Sequence, residues 1–294
     1  MVDTLRQYID SNQKMFQKLM TKYVLTLDIP EQLRKSMLYS LEAGGKRLRP
    51  VLLLASFEAY STEINKTYSS ALALEMIHTY SLIHDDLPAM DDDDFRRGLP
   101  TNHKVFGEAT AILAGDALLT YSFEIIANDP LLTDKEKVYC LNQLSRASGP
   151  SGMVGGQILD MEAENQTVTI EKLEKIHALK TGELLKFAVT AGAYLGNATE
   201  EQISHLRDYA YYLGLIFQVQ DDILDVIGDQ EKLGKAVGSD ESNDKSTYPK
   251  LLGLDGAIEM KSYYTEKALT LLEKANAHTS KLLELTNYVS ERDH

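Results

Sequence analysis

Leu72-Ala73-Leu74-Glu75-Met76-Ile77-His78-Thr79-Tyr80-Ser81-Leu82-Ile83-His84-Asp85-Asp86 is the stretch that decides the fold class. Its apolar side chains recur at spacings of three and four as well as in runs, the mark of a helix with a wide apolar face. Upstream, Leu41, Leu48, Val51, Leu52 and Leu54 repeat the pattern, and Tyr209-Ala210-Tyr211-Tyr212-Leu213-Gly214-Leu215-Ile216-Phe217 reads as a second interior segment. No period-two segment bounded by turn pairs competes with these, so the chain reads as all-α. Breaks are expected at Asn128-Asp129-Pro130, Ser148-Gly149-Pro150-Ser151-Gly152 and Gly196-Asn197, and across the polar residues 228–249, a stretch long enough to act as a lid.

With 294 residues, 44% apolar content and seven Pro, the chain can bury a large core and reads as one domain, 1–294. Its formal charge of −14 argues against nonspecific attraction to nucleic acid or anionic lipid, so an anionic substrate would need a local basic patch. Cys140 is the only cysteine, which excludes an intrachain disulfide and a metal-thiolate cluster. Met1 to Asp10 lacks the apolar run of a signal peptide, and charge-free stretches such as 187–198 and 209–220 are about a dozen residues, too short to span a bilayer. A cytoplasmic protein without a membrane span is expected.

The opening stretch ends in an acidic cluster, Asp85-Asp86-Leu87-Pro88-Ala89-Met90-Asp91-Asp92-Asp93-Asp94. At about 100° per residue, His78, Ser81, Leu82 and Asp85 share one side of a helix, whereas Pro88 interrupts the geometry between Asp85 and Asp91. In Gln218-Val219-Gln220-Asp221-Asp222-Ile223-Leu224-Asp225, positions 218, 221 and 225 follow i, i+3, i+7 spacing and share a face. Buried carboxylates need pairing or a metal. Mg2+ takes oxygen ligands and is usually held by one or two carboxylates plus substrate phosphates, so two such sites point to a diphosphate substrate. Gly44-Gly45-Lys46-Arg47-Leu48-Arg49-Pro50 and Arg96-Arg97-Gly98 supply cations, and Arg forks match phosphate oxygens. Either acidic cluster alone could be a solvated helix face, and either basic tract alone an ordinary surface.

These motifs, with Gly155-Gly156-Gln157, Lys180-Thr181-Gly182 and Phe217-Gln218, resemble the trans-polyprenyl diphosphate synthase family over residues 40–250. The resemblance implies an isoprenoid synthase fold, a helical bundle around a deep central cavity, usually a homodimer, that joins isopentenyl diphosphate to an allylic diphosphate. It implies Mg2+, three ions per site with diphosphate bound, on Asp85, Asp86, Asp91, Asp221, Asp222 and Asp225. By the same carry-over Lys46, Arg47, Arg49, His78 and Arg97 receive isopentenyl diphosphate. Arg96, Lys180, Thr181, Gln218, Lys235 and Lys245 receive the allylic diphosphate, with Lys180, Thr181, Gln218 and Lys235 acting in catalysis.

A two-residue insertion at Pro88-Ala89, together with an aromatic residue at Tyr80, resembles the bacterial short-chain members that stop at C15. Tyr80 precedes Asp85 by about 7.5 Å of helix, in the direction by which a growing tail would leave the metal. Pattern alone reads Tyr80 equally well as an ordinary core tyrosine; by the resemblance Tyr80 and Ser81 are the expected chain-length residues, and C10 or C20 output on the same site is the alternative. A helical phosphohydrolase built on His84-Asp85 with His78 and His103 would leave the basic tracts and residues 218–225 unexplained. A non-catalytic subunit on the same fold would be expected to lack motif carboxylates, and both sets are intact.

Overall fold

The computed structural model describes residues 2–164, 166–228 and 246–292, and these fall into two compact units, the first from the described residues up to 51 and from 65 to 141, the second from 52 to 64 and the described residues from 142 onward. Helices dominate, as the spacing predicts.

The first unit contains α1 (Val2–Leu25), α2 (Glu31–Glu42), the start of α3 (Leu48–Glu58), α4 (Tyr68–Asp85), α5 (Asn102–Phe106), α6 (Glu108–Ala127) and the start of α7 (Asp134–Ser148). Its spine is α4 against α6. Leu72, Leu74, Met76 and Ile77 are fully buried, and burial extends around the whole of residues 69–77, so α4 is an interior helix rather than a one-faced one. Each such side chain contributes roughly 1.5–3 kcal/mol by leaving water. Small residues on α6 let the helices close up: a Cβ at Gly115 would stand 2.1 Å from His84 Nε2. By length and hydropathy α6 could cross a membrane, yet it carries Asp116 mid-helix and buries Ala111, Ala114 and Leu118 within the unit.

One short departure from the all-α expectation follows the first acidic cluster. Phe95–Arg96 (β1) pairs antiparallel with Leu99–Pro100 (β2), and Arg97 and Gly98 form the turn at φ 55° and 77°. Positive φ at both central residues is the hairpin geometry that matches strand twist. A two-residue strand is too short to show alternation, which is why the sequence pattern misses it.

The second unit contains the remainder of α3 and α7, then α8 (Met153–Ala163), α9 (Ile170–His177), α10 (Glu183–Leu195), α11 (Glu200–Ile227), α12 (Tyr248–Lys274) and α13 (Ser280–Glu291). α11 is its core: Leu206, Tyr209, Ala210, Leu213, Leu215, Ile216 and Val219 are fully buried, and α12 packs along it. Thr199 and Gln202 form a reciprocal capping box that starts α11. Three expected breaks fall where the sequence places them. Asp129 Oδ1 accepts from Leu131 N at 2.8 Å in a side-chain turn, Asn197 takes φ 67° after α10, and residues 149–152 separate α7 from α8. Of the stretch read as a lid, residues 229–245 lie outside the described residues.

Candidate active site

In the first unit the Gly44–Arg47 loop carries three positive φ angles, 88° at Gly44, 118° at Gly45 and 50° at Arg47. Gln13 Nε2 donates to the Gly45 carbonyl at 2.6 Å, and Arg97 Nη1 donates to the Gly44 carbonyl. Arg47 turns inward, pairing with Glu75 Oε1 at 2.6 Å and donating to Gln17 Oε1 at 3.1 Å and to the Leu41 carbonyl. Its unfavourable backbone is therefore held by a buried ion pair. Lys46 and Arg49, on either side, are half-buried.

His78 on α4 sits amid this charge. Burial, followed by the charges of Arg49, Arg97, Arg47 and Arg96, holds its imidazole well below the ordinary histidine value, so it is neutral at pH 7. Burial and the neighbouring Arg47 also pull Arg97 down to about 10, although part of its surface stays open to solvent. The hairpin thus sets two adjacent arginines to different tasks. Arg97 closes on the glycine loop, while Arg96 Nε donates to Asp86 Oδ1 at 2.6 Å. Asp86 is nearly buried, and that burial raises its carboxyl above the usual range despite the Arg96 bond.

Asp85 ends α4 half-buried, and the chain then turns so that Asp91 N donates to the Asp85 carbonyl at 2.9 Å. Pro88 leaves the helix, but this backbone bond returns Asp91 to the level of Asp85. Tyr80 is 6% exposed, with its ring edge-on to His84 at 5.7 Å. Burial and the Asp85 charge push its hydroxyl up to about 12. Ser81 Oγ donates to the His78 carbonyl at 2.9 Å.

In the second unit, Lys180 and Thr181 sit on a single π-turn, Ala178–Gly182, between α9 and α10. Such a turn inserts a residue into a helix and is frequent at functional sites. Two glycines bring its neighbours close: a Cβ at Gly156 of α8 would meet Lys180 N at 2.2 Å, and one at Gly214 of α11 would meet Gly182 Cα at 2.9 Å. Lys180 Nζ consequently reaches Asp160 Oδ2 of α8 at 2.6 Å, and Thr181 Oγ1 donates to Gln218 Oε1 of α11 at 2.6 Å. Lys180, Asp160 and Gln218 line a cleft of about 250 Å³ together with His177, Asp221 and Asp222.

The second cluster divides its carboxylates. Asp222 Oδ2 accepts from Tyr248 N at 2.9 Å at the start of α12, where a carboxylate also favours the helix dipole. Asp221 pairs with Arg292 at 2.7 Å, and Asp225 is 3% exposed. Among the described residues no three or more acidic, His or Cys side chains close into a metal cage. Hard carboxylate oxygens in ones and twos nevertheless suit Mg2+, which completes its shell with water and substrate phosphate.

Three residues of the second unit were not singled out by the sequence reading. Asp160 lies three residues after Gln157 and His177 three before Lys180, spacings that share a helix face and could have drawn attention to both. Burial lowers His177 to about 4, with Asp160 opposing and Lys180 adding, and its ring stacks on Tyr248 at 5.9 Å. Arg292 meets an acid 71 positions upstream, which no local pattern reveals. Lys235 and Lys245 lie outside the described residues.

The polyprenyl synthetase family model matches residues 30–289. Farnesyl diphosphate synthase of Bacillus subtilis (strain 168) is 50% identical over 297 residues, covering all of both chains. A chloroplastic geranylgeranyl pyrophosphate synthase of Catharanthus roseus is 47% identical over 267 residues, 90% of this chain and 75% of the relative. The apo crystal structure of an FPP/GFPP synthase from Zymomonas mobilis superposes with a TM-score of 0.87 at 34% identity, covering 99% of this chain and 100% of that one. With helices, glycine loop, acidic clusters and full-length relatives in agreement, the chain belongs to the polyprenyl synthetase family.

Proposed function

We propose that this prenyltransferase joins isopentenyl diphosphate head to tail with dimethylallyl and then geranyl diphosphate, releasing farnesyl diphosphate (C15) and inorganic diphosphate. The observation that carries the reading is Arg97 closing on the Gly44 carbonyl, which brings its guanidinium to the loop that carries Lys46, Arg47 and Arg49. In a chain of net charge −14, such a concentration of arginine is best understood as an anion pocket. Lys46, Arg49, His78 and Arg97 would hold the diphosphate of isopentenyl diphosphate, and Arg47 would support the loop from behind through Glu75.

The allylic diphosphate would be met by Lys180, with Arg96, Lys235 and Lys245 adding charge. Mg2+ bound through Asp85, Asp91, Asp221 and Asp225 would stabilise charge on the departing diphosphate, with Asp86 and Asp222 fixing their surroundings. The allylic C–O bond breaks with its electron pair leaving on diphosphate, and the double bond of isopentenyl diphosphate attacks the resulting cation. A proton is then lost from the adjacent carbon to the released diphosphate. Lys180 favours the charge-separated state over the ground state, which is what accelerates ionisation. The Thr181–Gln218 pair offers lone-pair density to the cation without a nucleophile strong enough to trap it.

Both units would serve this one reaction as a single catalytic domain, in a cytoplasmic homodimer with three Mg2+ ions per site. A C20 product is the second reading, favoured by the geranylgeranyl pyrophosphate synthase among the relatives. Incubation with Mg2+, labelled isopentenyl diphosphate and dimethylallyl diphosphate, followed by dephosphorylation and separation by chain length, tests the proposal. A chelator-sensitive C15 product supports it, and a C20 product replaces the length assignment while keeping the chemistry. No incorporation from either a C5 or a C10 starter would overturn it.

A further inference from the structure

Arg292 is the last described residue, just beyond α13, and its polar contacts among the described residues fall on one turn of α11. Its Nη2 donates to Asp221 Oδ1 at 2.7 Å and to the Phe217 carbonyl at 3.0 Å, while the guanidinium carbon stands 4.0 Å from the Phe217 ring centroid. Its own carbonyl accepts from Gln220 Nε2 at 2.7 Å. Gln220 Oε1 accepts in turn from Lys261 Nζ at 2.8 Å, and that ammonium also donates to the Ser290 carbonyl at 2.9 Å. The chain end is tied down by α11 and α12 together.

The two members of the ion pair differ in exposure. The Arg292 side chain is 5% exposed, whereas that of Asp221 is 39% exposed and lines the cleft. A guanidinium cannot shed its proton, so one that is buried needs a standing anion. Asp221 is that anion, and it is also the leading residue of the second aspartate cluster. A divalent ion approaching this carboxylate meets an oxygen already engaged and a fixed like charge behind it.

We propose that Arg292 is a built-in counter-cation of the second aspartate cluster, fixing the Asp221 carboxylate and weakening its hold on divalent metal until a diphosphate adds its own oxygens. Metal loading at this cluster then waits for substrate, and the enzyme without substrate keeps Asp221 paired. The inference rests on the metal role proposed above for Asp221.

Mn2+ titrated into the full-length protein, with and without inorganic diphosphate and with the free ion followed by electron paramagnetic resonance, tests it. Arg292→Gln keeps a hydrogen-bond donor and removes the charge, and Arg292→Lys keeps the charge. Without diphosphate the Gln variant is expected to bind Mn2+ about fivefold more tightly than wild type, the scale of a partly exposed charge pair. The difference should shrink when diphosphate is present, the Lys variant should follow wild type, and all three proteins should be fully folded at the temperature of the titration.

Equal or weaker Mn2+ binding by Arg292→Gln, or equally tightened binding by Arg292→Lys, overturns the inference. Asp221→Asn separates the two levels of the argument. If it leaves Mn2+ binding with diphosphate unchanged, the metal role of Asp221 fails and the inference falls with it. If it removes a binding event that Arg292→Gln does not alter, only the counter-cation role fails.

Discussion

Arg47 and Glu75 form an ion pair at 2.6 Å whose side chains are 1% and 2% exposed, and it ties the glycine loop to the middle of α4. Breaking such a pair from one side leaves an uncompensated buried charge, at a cost of about 3–5 kcal/mol. Glu75→Ala is therefore expected to lower unfolding free energy by that order in urea titrations. A smaller loss is expected from Glu75→Gln, which still accepts the Arg47 hydrogen bond. If Glu75→Ala melts with wild type, the pair does not hold the loop.

Gly156→Ala tests how the π-turn is placed. The added methyl would stand 2.2 Å from Lys180 N, and the neighbour is backbone, so α8 and the turn must separate. Overpacking of this kind costs about 1–3 kcal/mol, and a shift of the proposed catalytic groups, Lys180 and Thr181, by an ångström can lower turnover roughly a hundredfold. The expected result is a folded protein whose kcat falls by one to two orders of magnitude. Wild-type kcat would mean that Lys180 tolerates displacement.

The helical class was legible because α4 and α11 announce themselves through three-and-four spacing and long apolar runs. So was the turn at Asp129, where the responsible side chain is adjacent in sequence. Ordered motifs also made the family legible. Contacts set by distant packing were hidden: Arg47 stands in a basic tract that reads as phosphate-binding, yet its partner Glu75 lies 28 positions away and draws it inward. Asp222 likewise reads as one more acid of a motif, but Tyr248 N, 26 positions on, takes one of its oxygens. Local pattern fixes which side chains share a face, and only tertiary packing decides which of them are already engaged.

His177 predicts a pH dependence of stability. Its folded value near 4 lies below the unfolded value of about 6.5, so the unfolded chain binds more protons between them. Its contribution is fully present above about pH 6.5 and is lost as pH falls toward 4. Partial solvent contact reduces the full linkage figure to about 1–2 kcal/mol. Urea unfolding of wild type and His177→Gln at pH 7.5 and pH 5 should show a smaller acid loss in the variant. Identical losses would remove His177 as a source of the dependence.

Tyr80 is the proposed control of product length. The residue is buried on α4 with its ring against His84, whose Nε2 donates to the Ile112 carbonyl of α6 at 3.0 Å. The Tyr80 ring therefore fills interior space one turn below the end of α4, where Asp85 begins the first acidic cluster. Tyr80→Ala vacates that volume at a cost in stability of about 3 kcal/mol, and a longer isoprenoid tail can enter it. The expected product shifts from C15 toward C20 and beyond, read by separating the dephosphorylated alcohols. Ser81→Phe, adding a ring at the next position, should shift it toward C10. An unchanged C15 product from Tyr80→Ala would show that the tail ends elsewhere and that Tyr80 is an ordinary core residue.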